Sequence, residues 1–185
     1  YLPNICEVLV ETARLFLNAG HMEEDGFRID GVTGPDEYTC IVNNNYYTNA
    51  GAAYTFSETV KLCEKLKECG EFETLERKTG ITQNELDAFQ TAGENIYLPR
   101  DDARGICKQD DSFLLKKRWD IQSIPPENFP LLLHYHPLFI NRHQICKQAD
   151  KVLANFVLRE EQPLVMPRTY HYYENVTTHD SRLSS

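Results

Sequence analysis

A chain of 185 residues can bury a core as one domain, and 41% hydrophobic with 25% charged residues is an ordinary globular composition. Its net charge of −9 argues against nucleic acid or an anionic membrane as the main partner, since both call for a basic surface. No uninterrupted apolar run approaches the roughly 20 residues of a membrane span.

In chain order, residues 5–19 place Ile5, Val8, Leu9, Thr12, Leu15, Phe16 and Ala19 on one helical stripe. Asn4 suits the N-cap, Glu7 the capping-box position, and Gly20 the stop. The run Gly31-Val32-Thr33-Gly34-Pro35-Asp36-Glu37-Tyr38 follows. Pro35 fixes its own φ and pushes Gly34 out of the helical region, so the chain turns there. Asp36 and Glu37 then sit on an irregular segment, and adjacent side chains of an extended segment face opposite ways. One carboxylate can face a ligand while the other is held by the scaffold. Val42-Asn43-Asn44-Asn45-Tyr46-Tyr47-Thr48-Asn49 adds amide donors and aromatic faces, the usual lining of a sugar site. Taken alone, the same residues also read as a plain turn and an Asn-rich loop.

Residues from about 48 to 69 predict a helix with Ala52, Phe56, Val60, Cys63 and Leu66 inward, closed by Gly70. Thr82 and Glu85 form a capping box for a shorter helix through Leu86, Phe89 and Ala92. Residues 94–105 read as a loop, and Gln109 to Phe113 as either a short strand or an irregular segment. Trp119, Asp120 and Phe113 either pack a loop or border a pocket. From about 138 to 158 the spacing of Ile145, Ala149, Val152, Phe156 and Val157 predicts one long helix. His134 and His136 lack a convincingly spaced third ligand, which favours structural or sugar-side hydrogen bonding over a metal. The six cysteines show no CxxC pair, and four lie in apolar patterns, as buried free thiols of a reducing compartment do. Periodicity supports a mainly α chain.

Three ordered segments carry a resemblance. They are Gly31–Tyr38 running into Val42–Asn49, Pro130-Leu131-Leu132-Leu133-His134-Tyr135-His136-Pro137-Leu138 leading to Lys147-Gln148-Ala149-Asp150, and Tyr172-Tyr173-Glu174 leading to Thr177-Thr178-His179-Asp180-Ser181-Arg182-Leu183-Ser184. Together they closely resemble glycoside hydrolase family 65, the inverting phosphorylases of maltose, kojibiose, nigerose and trehalose. The resemblance implies that residues 1–185 are a single partial domain, the C-terminal portion of an (α/α)6 toroid. A β-rich N-terminal domain, the first part of the barrel and a C-terminal sheet domain would then lie outside this sequence.

It also implies phosphorolysis of a maltose-like α-glucosyl disaccharide, with Glu37 as general acid and phosphate as nucleophile. That role calls for partial burial of Glu37 beside Tyr38 and Tyr46, with Asp36 as an orienter bonded to nearby backbone. Lys147 and Gln148 match the pair that binds the sugar at the cleaved end, and Gln148 is expected to point inward. Thr178, His179, Ser181 and Ser184 match the phosphate loop, with Arg182 standing where the family usually has serine. The implied parent is a cytoplasmic homodimer without metal or cofactor, using inorganic phosphate as co-substrate. An inverting hydrolase of the same family, which would need a carboxylate base in that last loop, and a non-catalytic carbohydrate-binding piece are the alternatives.

Overall fold

The computed structural model describes residues 2–159 and 164–179. It is mainly helical and forms two compact units, Tyr1–Ile29 with Asn49–Tyr97, and Asp30–Thr48 with Leu98–Ser185. No described helix is long and apolar enough to cross a membrane.

The first unit is built from α1 (Leu2–Ala19), a hairpin of β1 (Gly20–Glu23) and β2 (Gly26–Ile29), most of α2 (Tyr46–Glu68), α3 (Phe72–Thr79) and α4 (Gln83–Glu94). Helix α1 ends before Gly20 as expected, but it begins at Leu2, so Asn4 and Glu7 lie inside it. Both reach Lys78 of α3 instead of capping: Lys78 Nζ donates to Asn4 Oδ1 at 3.0 Å and to Glu7 Oε2 at 3.2 Å. The expected stripe is also displaced. Cys6, Val10 and Ala13 are buried, whereas Ile5, Val8 and Leu15 are exposed. The helix is apolar on several sides, so periodicity alone does not select the face that packs here.

Helix α2 buries Ala52, Phe56, Cys63 and Leu66 as its spacing predicts, and Gly70 follows it at φ 71°. The Thr82–Glu85 capping box is formed in full, and α4 buries Leu86, Phe89 and Ala92. The hairpin was not signalled by the helical spacing. It is held by backbone: Phe27 donates to Asn95 O at 2.7 Å, and Tyr97 N donates to Phe27 O at 2.9 Å. Gly26 lies at φ 133°, and a Cβ there would meet Asn95 O at 2.4 Å. Aromatic packing forms the centre of this unit. The Phe56 ring stacks on Phe89 and meets Phe27 edge-on, both at 5.8 Å between centroids.

The second unit has little regular structure. Arg100–Asp101 (β3) pairs antiparallel with Ile106–Cys107 (β4), and Lys117–Arg118 (β5) pairs parallel with His143–Gln144 (β6). Gln109 to Phe113 is irregular up to a 3-10 turn at Phe113–Leu115. The single long helix expected over 138–158 is two short ones, α5 (Pro137–Asn141) and α6 (Asp150–Leu158). Between them the chain is extended, because residues 143–146 pair with β5 and with Thr177. On α6 the inward residues are Asp150, Lys151, Ala154 and Asn155, while Phe156 and Val157 face out. The last described helix is α7 (Met166–Glu174). Four cysteines, Cys6, Cys63, Cys107 and Cys146, are buried as free thiols.

Trp119 packs its loop, with Tyr135 at 5.0 Å and Phe139 at 5.1 Å between ring centroids, both edge-on. Asp120 accepts from Gln122 N at 3.1 Å, and Phe113 lies on Tyr173 at 5.6 Å. His136 caps α5, its Nδ1 accepting from Leu138 N at 3.2 Å, which is the structural reading of that histidine.

Phe56 is fully buried between two rings, so Phe56→Ala leaves a cavity that its neighbours fill only in part. The expected loss is about 3–5 kcal/mol, read from urea unfolding. A loss near zero would show that the aromatic cluster is not what stabilises this unit.

Candidate functional site

The turn at 31–39 is closed by reciprocal backbone bonds between Val32 and Val42, at 2.9 and 2.8 Å. Gly31 N donates to Asn43 Oδ1 at 3.0 Å. At Gly34 there is no room for a side chain, since a Cβ would lie 2.0 Å from Asp150 Oδ2 and 2.4 Å from Asn45 Nδ2. Alternation then does what the sequence predicts. Asp36 points into the protein and is fully buried, and Glu37 points out.

Asp36 is the hub. Its Oδ1 accepts from Lys147 N at 2.9 Å and Tyr38 N at 3.2 Å. Its Oδ2 accepts from Gln109 Nε2 at 2.8 Å and Thr39 Oγ1 at 3.1 Å. Its own N–H donates to Asp150 Oδ1 at 2.7 Å, and Asn45 Nδ2 donates to Asp150 Oδ2 at 2.7 Å. Gln109 Oε1 closes the network by accepting from Asp150 N at 3.2 Å and Cys146 Sγ at 3.4 Å.

Two buried carboxylates so close cannot both ionise cheaply. Burial, and then the charge of Asp36, push Asp150 up to about 8. Burial also raises Asp36, opposed by the donors from Lys147, Gln109, Tyr38 and Thr39. Four donors favour charge on Asp36, and that charge in turn disfavours ionisation of Asp150 beside it.

Glu37 and Lys147 meet outside this hub, with Lys147 Nζ 2.7 Å from Glu37 Oε2. The Glu37 side chain is 48% exposed and that of Lys147 17%. The expected burial of Glu37 beside Tyr38 and Tyr46 is therefore corrected. Tyr38 packs inward with Leu131, Ile140 and Ile145, and its hydroxyl accepts from Leu131 N at 3.2 Å. The Tyr46 ring is buried beneath the Lys151 ammonium, 3.7 Å from its centroid.

Lys147 and Gln148 lie on the bend before α6, not on a helix. Gln148 does turn inward: Nε2 donates to Pro35 O at 2.5 Å. Its Oε1 is buried and accepts nothing from any described residue.

Parallel pairing brings the final segment alongside. Cys146 N donates to Val176 O at 2.8 Å and Thr178 N to Cys146 O at 2.9 Å. His179 follows at φ 52°, with Nε2 3.6 Å from Glu174 Oε1. Gln148, Ala149, Tyr173, Glu174, Thr177 and His179 line one cleft of about 630 Å³. Glu37, Lys147, Gln148 and Thr178 are thus joined through the Asp36 hub and Cys146, while His179 meets Glu174 of α7. Ser181 and Ser184 lie outside the described residues.

Sequence reasoning missed Asn45, Gln109 and Asp150 as parts of the site. Asp150 closes the quoted Lys147–Asp150 segment, and Asn45 lies in the Asn run. Gln109 carries no local signal at all.

The family model described as the glycosyl hydrolase family 65 central catalytic domain matches residues 3–185. An α,α-trehalose phosphorylase of Geobacillus stearothermophilus is 51% identical over 97% of this chain and 24% of its own length. One from Thermoanaerobacter brockii is 42% identical, again over 97% of this chain and 24% of its own. A solved structure named for kojibiose phosphorylase, from the human microbiome, superposes with a TM-score of 0.86 at 30% identity, covering 97% of this chain and 25% of that one. The chain therefore spans about a quarter of the length of the relatives it matches.

The raised Asp150 makes stability pH-dependent. Its folded value of about 8 exceeds the ordinary 3.8, so its stabilisation is complete below about pH 4 and is lost as pH rises to about 8. Unfolding midpoints should fall between about pH 5 and pH 8, and Asp150→Asn should shrink that fall. An unchanged fall in the variant would show that Asp150 is not its source.

Proposed function

We propose, from this chain's membership of glycosyl hydrolase family 65, that it carries part of the catalytic site of an inverting disaccharide phosphorylase. Its helices are read as part of an (α/α)6 toroid, a reading supported by the 0.86 TM-score likeness. The relatives at 51% and 42% identity are trehalose phosphorylases, which favours α,α-trehalose over the maltose-like substrate expected from sequence.

The observation that carries the reading is the bonding of Asp36 to both halves of the site. One buried carboxylate fixes the Glu37 turn through its own backbone and fixes Lys147 through its amide. Glu37 is the general acid, giving its proton to the leaving glycosidic oxygen. A phosphate oxygen attacks the anomeric carbon from the opposite face, the C–O bond to the leaving sugar breaks, and β-glucose 1-phosphate and glucose result. Phosphate is already anionic, so no protein base is required.

Lys147 and Gln148 bind the glucosyl unit. The buried, unmatched Gln148 Oε1 suits a sugar hydroxyl donor, since a buried acceptor left alone costs about 1–3 kcal/mol. Thr178, His179, Ser181 and Ser184 form the phosphate loop, and the left-handed backbone at His179 supports the tight turn such a loop needs.

In the complete protein, Glu37→Gln should lower turnover of trehalose by ~10²–10⁴-fold while leaving folding intact. The loss should be smallest with α-glucosyl fluoride under the conditions where it serves as donor, because fluoride leaves without a proton. Near wild-type cleavage of the disaccharide by this variant would remove Glu37 from the role.

Cleavage should also require phosphate and yield an inverted sugar phosphate, with trehalose consumed faster than maltose or kojibiose. Free glucose formed equally well in phosphate-free buffer would favour the hydrolase.

A further inference from the structure

Helix α7 contributes side chains to two clefts of the second unit, and they differ in chemistry. Tyr173 and Glu174 line the cleft that holds Gln148 and His179. Arg168, His171, Tyr172 and Asn175 line another, of about 480 Å³, together with Arg104 and Arg118. The two clefts share no lining residue. Three arginines and a histidine, all exposed, thus line one concavity of a chain whose net charge is −9.

Little in the protein neutralises them. Asp101 pairs with Arg104 and also accepts from Arg104 N at 2.8 Å. Arg118 and Arg168 make no ion pair with any described residue. Glu174, the carboxylate of α7, turns to the other cleft and His179.

Arg118 also has a supporting contact. The Arg118 guanidinium lies 5.5 Å from the Tyr172 ring centroid. That ring is fixed because its hydroxyl donates to Gln144 Oε1, while Gln144 Nε2 donates to Lys116 O at 2.6 Å and Leu114 O at 3.2 Å. Gly105, at φ 65°, lets Arg168 lie across the β3–β4 turn beside Arg104, since a Cβ there would sit 2.8 Å from Arg168 Nη1.

We propose that this cleft binds a phosphate dianion, either free or carried on a small phosphorylated molecule, apart from the phosphate of the reaction. Guanidinium forks match phosphate oxygens two at a time, and Arg118 and Arg168 have no carboxylate partner among the described residues to compete for them. The volume falls within the ~300–1,000 Å³ of small-molecule sites. Tyr172 adds an apolar wall against which a ring attached to the phosphate can rest.

The test uses the complete protein and calorimetric titration at low salt with inorganic phosphate, glucose 1-phosphate and glucose. Wild type should show two saturable phosphate-class events, and affinity at the arginine cleft should fall as salt is raised. Arg118→Gln with Arg168→Gln should weaken one event by at least about tenfold, the order expected for losing charged hydrogen bonds, and leave kcat unchanged. His179→Ala should weaken the other, so the two sites fail separately.

Binding of inorganic phosphate at the arginine site assigns a free-phosphate ligand, and binding of glucose 1-phosphate alone assigns a phosphate ester. Titrations of the arginine variant that match wild type, or equal binding of neutral glucose there, would overturn the proposal. Should the Gln pair fold poorly, Arg118→Lys with Arg168→Lys keeps the charge but not the fork. It should still bind several-fold more weakly than wild type, and equal binding would count against the site.

Discussion

A buried carboxylate is the constraint on which the site depends. Taking one carboxylate out of water costs several kcal/mol, and the cost rises with a second beside it. The structure offsets this with four donors to Asp36, while burial and the Asp36 charge raise Asp150. Two donors come from the turn itself and two from distant segments, so the same bonds that solvate the charge also fix the geometry. Lys147 is placed by its backbone amide, Gln109 by its side-chain amide, and the Asp36 turn by Asp150. Gly34 follows from the same constraint, because a Cβ there would displace the Asp150 carboxyl.

A polar interior has a consequence for the outside. Helix α6 gives its inward face to Asp150, Lys151 and Asn155, so its apolar residues are left outward, with Phe156 82% exposed. Helix α1 likewise keeps Val8 and Leu15 exposed. Exposed apolar surface gathered on helix faces marks contact surfaces rather than solvated ones. The relatives are about four times as long as this chain, which gives such faces more polypeptide to meet.

Legibility in the sequence tracked how local the determining physics was. The Thr82 capping box and the inward residues of α2 and α4 depend on neighbours three and four apart, and they were readable. The helix expected over 138–158 was not, because residues 143–146 are extended by pairing with β5 and Thr177, partners far away in sequence. Of the apolar stripe that suggested the helix, Ile145, Ala149 and Val152 do pack inward, whereas Phe156 and Val157 face out.

At the site, the Gly34-Pro35 turn and alternation set the Asp36 and Glu37 side chains on opposite sides in advance. Glu37 itself was expected beside Tyr38 and Tyr46, and the structure turns both rings inward. Gln109 could not have been found. Its importance comes entirely from contacts with Asp36, Cys146 and Asp150, and a lone glutamine has no motif.

The ion pair between Glu37 and Lys147 bears directly on the proposed chemistry. A carboxylate bound to an ammonium at 2.7 Å is not a proton donor, so the pair must open before Glu37 can act. Glucose offers hydroxyls to both partners, and Lys147 is the more buried of the two. Its backbone is anchored by Asp36, so its ammonium can turn toward a sugar while the Glu37 turn stays fixed. In the proposed reaction Glu37, once parted from Lys147, takes a proton from solvent and passes it to the leaving oxygen. In the structure the two charges neutralise one another, and the buried Gln148 Oε1 has no donor among the described residues, which suits the sugar hydroxyl of the proposed reaction.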